Sequence, residues 1–201
     1  MTGFLQVSLK ELLEQLGEDR VISILSGFSC PLNKDVENFL KRNAILFTRQ
    51  GLSATHLIFT SFKSNLSLIG YFTLATKFFT ISKGSLSKTL QKRVNKFTTY
   101  LPDTKRYYIS APLIAQLGKN YSDGLNNLIS GDELLKLACD KVATIQHEIG
   151  GKIVYLECED KPKLIEFYSS NGFVNFGKRL LEKDESDVMD GIYLIQMMKY
   201  F

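Results

Sequence analysis

Tyr168 sits in a short stretch, Lys161-Pro162-Lys163-Leu164-Ile165-Glu166-Phe167-Tyr168-Ser169-Ser170-Asn171-Gly172-Phe173, whose punctuation is that of a helix. Proline suits a first helical turn because its missing N–H would have no partner there. Glycine just past the end can take the left-handed conformation that closes a helix. Leu164, Phe167 and Tyr168 fall on one face at helical spacing, so on these residues alone Tyr168 reads as an amphipathic core tyrosine. A second stretch with chemical potential is the polar, glycine-containing segment 118–131, which leads into a helix from Asp132 to Ile149. Backbone N–H groups at such a strand-to-helix turn form a natural phosphate site. A third is the basic run carrying Lys83, Lys88, Lys92, Arg93 and Lys96, which fits either a solvated helix or a surface for a polyanion. His56 and Glu157 are the candidate bases, each equally readable as a satisfied structural group, and Cys139 reads as packing.

Composition narrows what can surround these groups. The chain has 201 residues, enough for one domain with an insertion, and 44% of them are apolar, enough for a proper core. No apolar run is long enough to span a membrane, and Met1-Thr2-Gly3-Phe4 lacks the basic and apolar regions of a signal peptide. Cys30, Cys139 and Cys158 show no paired spacing, which points to reduced, buried thiols in a cytoplasmic protein. Two histidines and no Cys/His cluster leave no expected metal site. The net charge of +4 is mild and compatible with a polyanionic partner.

The elements that must position the candidates follow in order. Residues 8–17 read as a helix with Ser8 as N-cap and Glu11 three residues on. Val21–Leu25, apolar on both faces, reads as a first strand. A helix over 33–44 follows, with Val36, Phe39, Leu40 and Ala44 inward and Asn33 as its cap. Thr55–Phe62 and Leu66–Thr76 read as a hairpin turning at Ser64-Asn65. Residues 80–104 read as a basic helical insertion lying over the substrate mouth. Arg106–Leu117 is a strand in which Pro112, unable to donate to a ladder, marks an edge, a bulge or a splayed point. After the helix 132–149, stopped by Gly150-Gly151, come a strand over 152–158, the Tyr168 helix, a strand from Phe173 towards Leu181, an acidic turn over 182–190 and a closing strand from Ile192 to Tyr200.

Phe167-Tyr168-x-x-x-Gly172-Phe173 between two strands resembles a motif of the GNAT acetyltransferases, and the element order over about 20–200 resembles a complete domain of that superfamily. The resemblance implies an α/β (α+β) GNAT fold: a mixed, mostly antiparallel central sheet with a splayed pair of strands and helices on both faces, forming a single domain over 1–201. It implies acetyl-CoA as co-substrate, no metal, and Tyr168 as the acid that protonates the departing thiolate. Backbone groups of Ala115, Gln116 and Leu117 would meet the pantetheine arm and the thioester carbonyl. The superfamily's phosphate loop, Gln/Arg-x-x-Gly-x-Gly/Ala, falls on Asn126, Ile129 and Gly131, with amide donors drawn from Leu128, Ile129, Ser130, Gly131 and Asp132. Only Gly131 matches; Ile129 replaces a glycine, an exchange expected to carry a steric cost, and the loop is about two residues longer. Lys161 stands where many relatives have asparagine, a place from which it would reach the coenzyme or simply be exposed.

A narrower likeness lies in Phe28-x-Cys30, Phe39-Leu40 with Ala44, Thr55-His56-Leu57, Gly70-Tyr71-Phe72-Thr73-Leu74 and Ala115-Gln116-Leu117. These phrases are similar to those of the branch that includes toxin–antitoxin acetyltransferases, which acetylate aminoacyl-tRNA. That likeness implies an amine acceptor on tRNA, with Lys88, Lys92, Arg93 and Lys96 against the RNA, and leaves a homodimer and an antitoxin as open partners. A small-molecule or protein amine, or a non-catalytic acyl-CoA-binding module, are the alternatives. The strand 106–117 carries no Asp, Glu or His after Arg106, so the reaction lacks an evident base. This favours a weakly basic amine, such as one beside an ester, over a lysine of pKa about 10.4.

Overall fold

The computed structural model describes residues 3–181 and 192–201, and the chain gathers into two compact units. The first contains residues 1–75 and 114–138; the second contains 76–113 and 139–201. The long strands β3 (Asn65–Ser82) and β5 (Arg106–Lys119) and the helix α6 (Gly131–Ile149) contribute residues to both.

In the first unit, β1 (Leu5–Ser8) pairs antiparallel with β2 (Ala54–Phe62), and β2 pairs antiparallel with β3, giving the order β1-β2-β3-β5. The edge strand β1 has only four residues and no alternation to announce it. The segment Val21–Leu25 is not a strand. It lies within helix α2 (Glu18–Ser26), which follows α1 (Leu9–Leu16). Gly17, at φ +76°, ends α1 and restarts the chain. Val21 and Leu25, four residues apart, are buried while Ile22 is exposed, which is a helical rather than a two-sided strand pattern. The Ser8 amide donates to Glu11 Oε2 at 3.4 Å, the expected start of α1. The helix expected over 33–44 runs further, as α3 (Lys34–Asn38), a π turn (Phe39–Asn43) and α4 (Ala44–Arg49). Asn33 caps it by accepting from the Val36 amide at 3.2 Å.

Two glycines let helices approach this sheet. A Cβ on Gly118 would stand 2.3 Å from Val36 Cγ1, and one on Gly70 would meet the Gly118 carbonyl and the Leu134 side chain. The Tyr71 hydroxyl donates to the Val36 carbonyl at 2.5 Å, tying β3 to α3 inside a core of Leu25, Phe28, Leu40 and Leu57.

In the second unit β3 continues past Thr76 to Ser82, so the insertion starts as an extension of the hairpin strand. It then forms α5 (Lys88–Val94), capped by Ser87 accepting from the Leu90 amide, and a short β4 (Thr99–Leu101) that pairs with β5. β5 runs unbroken through Pro112. The order is β3-β5-β6-β8-β7, with β6 (Ile153–Glu159), β7 (Val174–Leu180) and β8 (Tyr193–Tyr200) antiparallel to their neighbours in β6-β8-β7. Helix α7 (Pro162–Ser170) begins at its proline and ends at Gly172, φ +82°, as expected. The acidic turn over 182–190 lies outside the described residues. No helix is long and apolar enough to cross a membrane among the described residues.

Candidate functional site

The expected site residues divide between the units. Ala115, Gln116, Leu117 and the loop 126–132 lie in the first, whereas Tyr168, Lys161 and the basic segment lie in the second.

In the first unit the end of β5 is held by Asn120, which is buried. Its Oδ1 accepts from the amides of Ser29 and Ser122 at 3.0 Å each, its Nδ2 donates to the Leu68 carbonyl, and its amide donates to Ile69 O. These four bonds fix where the loop leaves the sheet. The sequence reading missed it, although a lone Asn after an apolar strand is a usable turn signal. Gln116 donates to Asp35 Oδ2 at 2.9 Å, locking β5 to the first turn of α3.

The loop then forms a 3₁₀ turn, Ser122–Leu128, in which Asp123 and Gly124 take φ of 52° and 76°. Ile129 is extended at φ −144°, with its side chain in the core. The steric cost expected of isoleucine at a glycine position is absent, because this backbone does not ask for positive φ. Lys119, also missed in the sequence, donates from Nζ to the Asn126 carbonyl at 3.0 Å and places a cation on the loop.

Ser130 and Glu133 form a capping box. Glu133 N donates to Ser130 Oγ at 3.1 Å, and the Ser130 amide and hydroxyl donate to Glu133 Oε2 at 2.8 and 2.9 Å. These bonds hold the Glu133 carboxyl below its ordinary range, the Ser130 amide first among the causes. One expected phosphate donor thus already carries an anion of the protein's own. The Ser-x-x-Glu spacing was legible in the sequence. An apolar hollow of about 500 Å³ in the same unit is lined by Leu12, Leu16, Phe59, Leu68 and Leu125 among others and includes none of the expected residues.

In the second unit Tyr168 is half-buried on α7, edge-on to Phe167 and Phe173 with ring centres 4.9 and 5.9 Å away. Its hydroxyl has no hydrogen-bond partner among the described residues. Desolvation first, and the neighbouring Cys158 second, push its pKa well above the ordinary phenol range. It is a protonated donor at any physiological pH. Cys158 is itself raised to about 11 by burial and then by Asp160 and Glu159, so it is a thiol and not a nucleophile. Lys161 is ion-paired to Glu159 Oε1 at 2.8 Å. Lys88, Lys92, Arg93 and Lys96 are all exposed, and Arg93 also rests over the Tyr200 ring at 5.4 Å.

Neither fallback base is placed to take a proton. Glu157 accepts from Arg179 Nε and Nη2 at 2.9 and 2.7 Å and from Gln196 Nε2 at 3.0 Å. His56 is buried, stacked on Phe72 with ring centres 5.0 Å apart and with Gln6 Nε2 3.5 Å from its Nδ1. Cys139 is buried, as its packing role requires.

The fold is the GNAT fold, which the chain shares with solved structures of the toxin AtaT and of KacT. AtaT complexed with acetyl-methionyl-tRNAfMet superposes with a TM-score of 0.61 at 19% identity, over 96% of this chain and 93% of that one. A tyrosine-to-phenylalanine mutant of KacT gives 0.61 at 18% identity, over 96% and 94%. AtaTR bound with acetyl-CoA gives 0.59 at 18%, over 97% and 94%. No family model matches the sequence, and no curated protein matches it significantly.

Proposed function

We propose that this protein is an acetyl-CoA-dependent N-acetyltransferase whose acceptor is the amino group of aminoacyl-tRNA. The observation that carries the proposal is the Tyr168 phenol: protonated, without a hydrogen-bond partner among the described residues, and at the end of a helix in a GNAT fold. In this reading the acceptor nitrogen attacks the thioester carbonyl carbon, and an amide N–H at Gln116 or Leu117 stabilises the oxyanion. The C–S bond then breaks, its electron pair goes to sulfur, and Tyr168 gives the thiolate its proton. The proton of the attacking nitrogen leaves to water. Glu157 and His56 are both engaged elsewhere, so the amine has to arrive neutral. A lysine amine of pKa about 10.4 is neutral about once in a few thousand molecules at pH 7, whereas an α-amino group of pKa about 8 is neutral about once in ten. AtaT has been solved with acetyl-CoA and with an acetylated aminoacyl-tRNA, and it offers the same kinds of partner for this chain. Its antitoxin AtaR makes an antitoxin a reasonable partner here too.

The exposed row of Lys88, Lys92 and Lys96 is assigned to RNA phosphates. The test is transfer of labelled acetyl from acetyl-CoA to aminoacyl-tRNA, lysine peptides and small amines, read as thiol release. The expected result is transfer to aminoacyl-tRNA, falling steeply with salt. Replacing the three lysines by glutamine should reduce the log–log salt slope by about 2, at roughly 0.7–0.9 per phosphate contact. Transfer to a small amine with no salt dependence would overturn the acceptor assignment.

A second reading has one observation in its favour: Glu133 occupies the Ser130 amide. A carboxylate there opposes pyrophosphate and suits a module that holds acyl-CoA weakly and transfers nothing. Thermal shift with acetyl-CoA, followed by thiol release, separates the two readings.

A further inference from the structure

Between Thr76 and Pro102 the chain carries the cations Lys77, Lys83, Lys88, Lys92, Arg93 and Lys96, and no Asp or Glu. An exposed ring stands among them. Phe97 follows the end of α5 closely and is 44% exposed. Its ring centre lies 6.0 Å from that of Tyr200, and the Arg93 guanidinium rests over the same Tyr200 ring at 5.4 Å. The support beneath these groups is firm. Tyr200 stands opposite Ile153 at the end of β8 and is half-buried against the cluster that includes Val94, Tyr107 and Ile153. The Phe97 and Lys96 amides donate to the Val94 and Arg93 carbonyls at 2.9 and 3.2 Å. The Thr98 hydroxyl donates to the Val94 carbonyl at 3.0 Å. Gln91 Nε2 ties α5 to the turn before it, donating to the carbonyls of Lys83 and Leu86 at 2.9 and 2.8 Å. The Phe97 ring is therefore presented from a closed, hydrogen-bonded turn.

We propose that Phe97, with Arg93 and Tyr200 beside it, is a stacking platform for an unpaired base at the single-stranded end of the acceptor RNA. This rests on the aminoacyl-tRNA reading and names the part of the RNA that the basic segment meets. The chemistry of the surface selects that part. A duplex keeps its base faces stacked and offers phosphates, which the lysines bind without any ring. An unpaired strand offers a phosphate chain and open π faces together, so it uses the lysines and the ring at once. Arginine adds a guanidinium plane on which a base also stacks. A lipid surface would ask for a row of outward apolar side chains, but Leu90 and Val94 of α5 pack into the cluster beneath the helix. An acidic peptide would meet the cations and leave the face of Phe97 unused. Tyr100 does not offer a second platform, since Lys83 lies over its ring at 5.1 Å and Tyr107 packs against it at 5.1 Å.

The test is a binding titration on the whole chain, read by fluorescence anisotropy and independent of turnover. The probes are an RNA hairpin with a short single-stranded 3′ tail and the same hairpin with an abasic tail, which keeps every phosphate and lacks the bases. The wild-type protein should prefer the tail with bases about tenfold, as the stacking of one base allows. In Phe97→Leu, which keeps an apolar side chain but has no π face, the preference should fall to about one, whereas Phe97→Trp should keep it. Neither change removes a cation, so the salt slope should stay that of the wild type. A wild-type protein that binds neither probe, binds both equally, or binds poly-glutamate as tightly as the tailed hairpin overturns the platform. So does a Phe97→Leu variant that keeps the preference. Acetyl transfer to aminoacyl-tRNA by the same preparation would in that case leave the enzymatic reading standing, and its absence would remove both.

Discussion

At Ser130 two anions compete for one amide. The Glu133 carboxylate holds it at 2.8 Å, and in the proposed enzyme a pyrophosphate oxygen is to be bound by the same turn. A helix start favours negative charge by about 0.3–1 kcal/mol per charge, and a second anion in the same place gives that gain back. Glu133→Gln keeps the capping geometry, since glutamine serves at the third helical position as well as glutamate, but removes the charge. Its KM for acetyl-CoA is expected to fall by about twofold to fivefold, with kcat unchanged. A KM that stays the same or rises would mean that phosphate does not dock at this turn. This residue pair also marks a limit of sequence reading. Ser130-x-x-Glu133 is a recognisable capping box, yet the GNAT resemblance directs Ser130 to the coenzyme and hides its local partner. The Glu157 site was illegible for a different reason. Its partners come from β7 and β8, and no spacing rule links residues 157, 179 and 196.

Among the elements, those with strong punctuation were readable. Pro162 and Gly172 bracket α7 in both sequence and structure, and the hairpin of β2 and β3 follows from alternation around a polar turn. α2 was misread because Val21-Ile22-Ser23-Ile24-Leu25 is mostly β-branched or leucine, and only its packing shows a helical face. β1 is too short to carry a pattern and exists because β2 offers it a ladder. The contact between β5 and α3 was equally invisible, since it depends on Gly118 lacking a side chain 2.3 Å from Val36. Gly118→Ala should destabilise the protein by about 1–3 kcal/mol through overpacking, read as a lowered midpoint in thermal or urea unfolding. Gly84→Ala, where the nearest atom is Ser82 Oγ at 3.9 Å, is the matched control and should change little. Equal effects of the two variants would show that α3 yields at no cost, and that it does not fix the position of Leu117 and Lys119.

For the molecule as a whole the proposal comes down to one acid. The phenol of Tyr168 lies in the second unit, and the amides at the end of β5 and the start of α6 lie in the first. Strand β5 carries no Asp, Glu or His after Arg106, and the two candidate bases, Glu157 and His56, are held by other side chains. Such an enzyme depends on its acid and on an acceptor that is neutral without help. The most direct measurement is single-turnover acetyl transfer by Tyr168→Phe beside the unmodified protein, with acetyl-CoA affinity measured in parallel. Loss of a positioned acid costs about 10²–10⁴-fold, so the rate should fall by at least 100-fold with the affinity for acetyl-CoA unchanged. A variant that transfers acetyl at the unmodified rate would contradict the account.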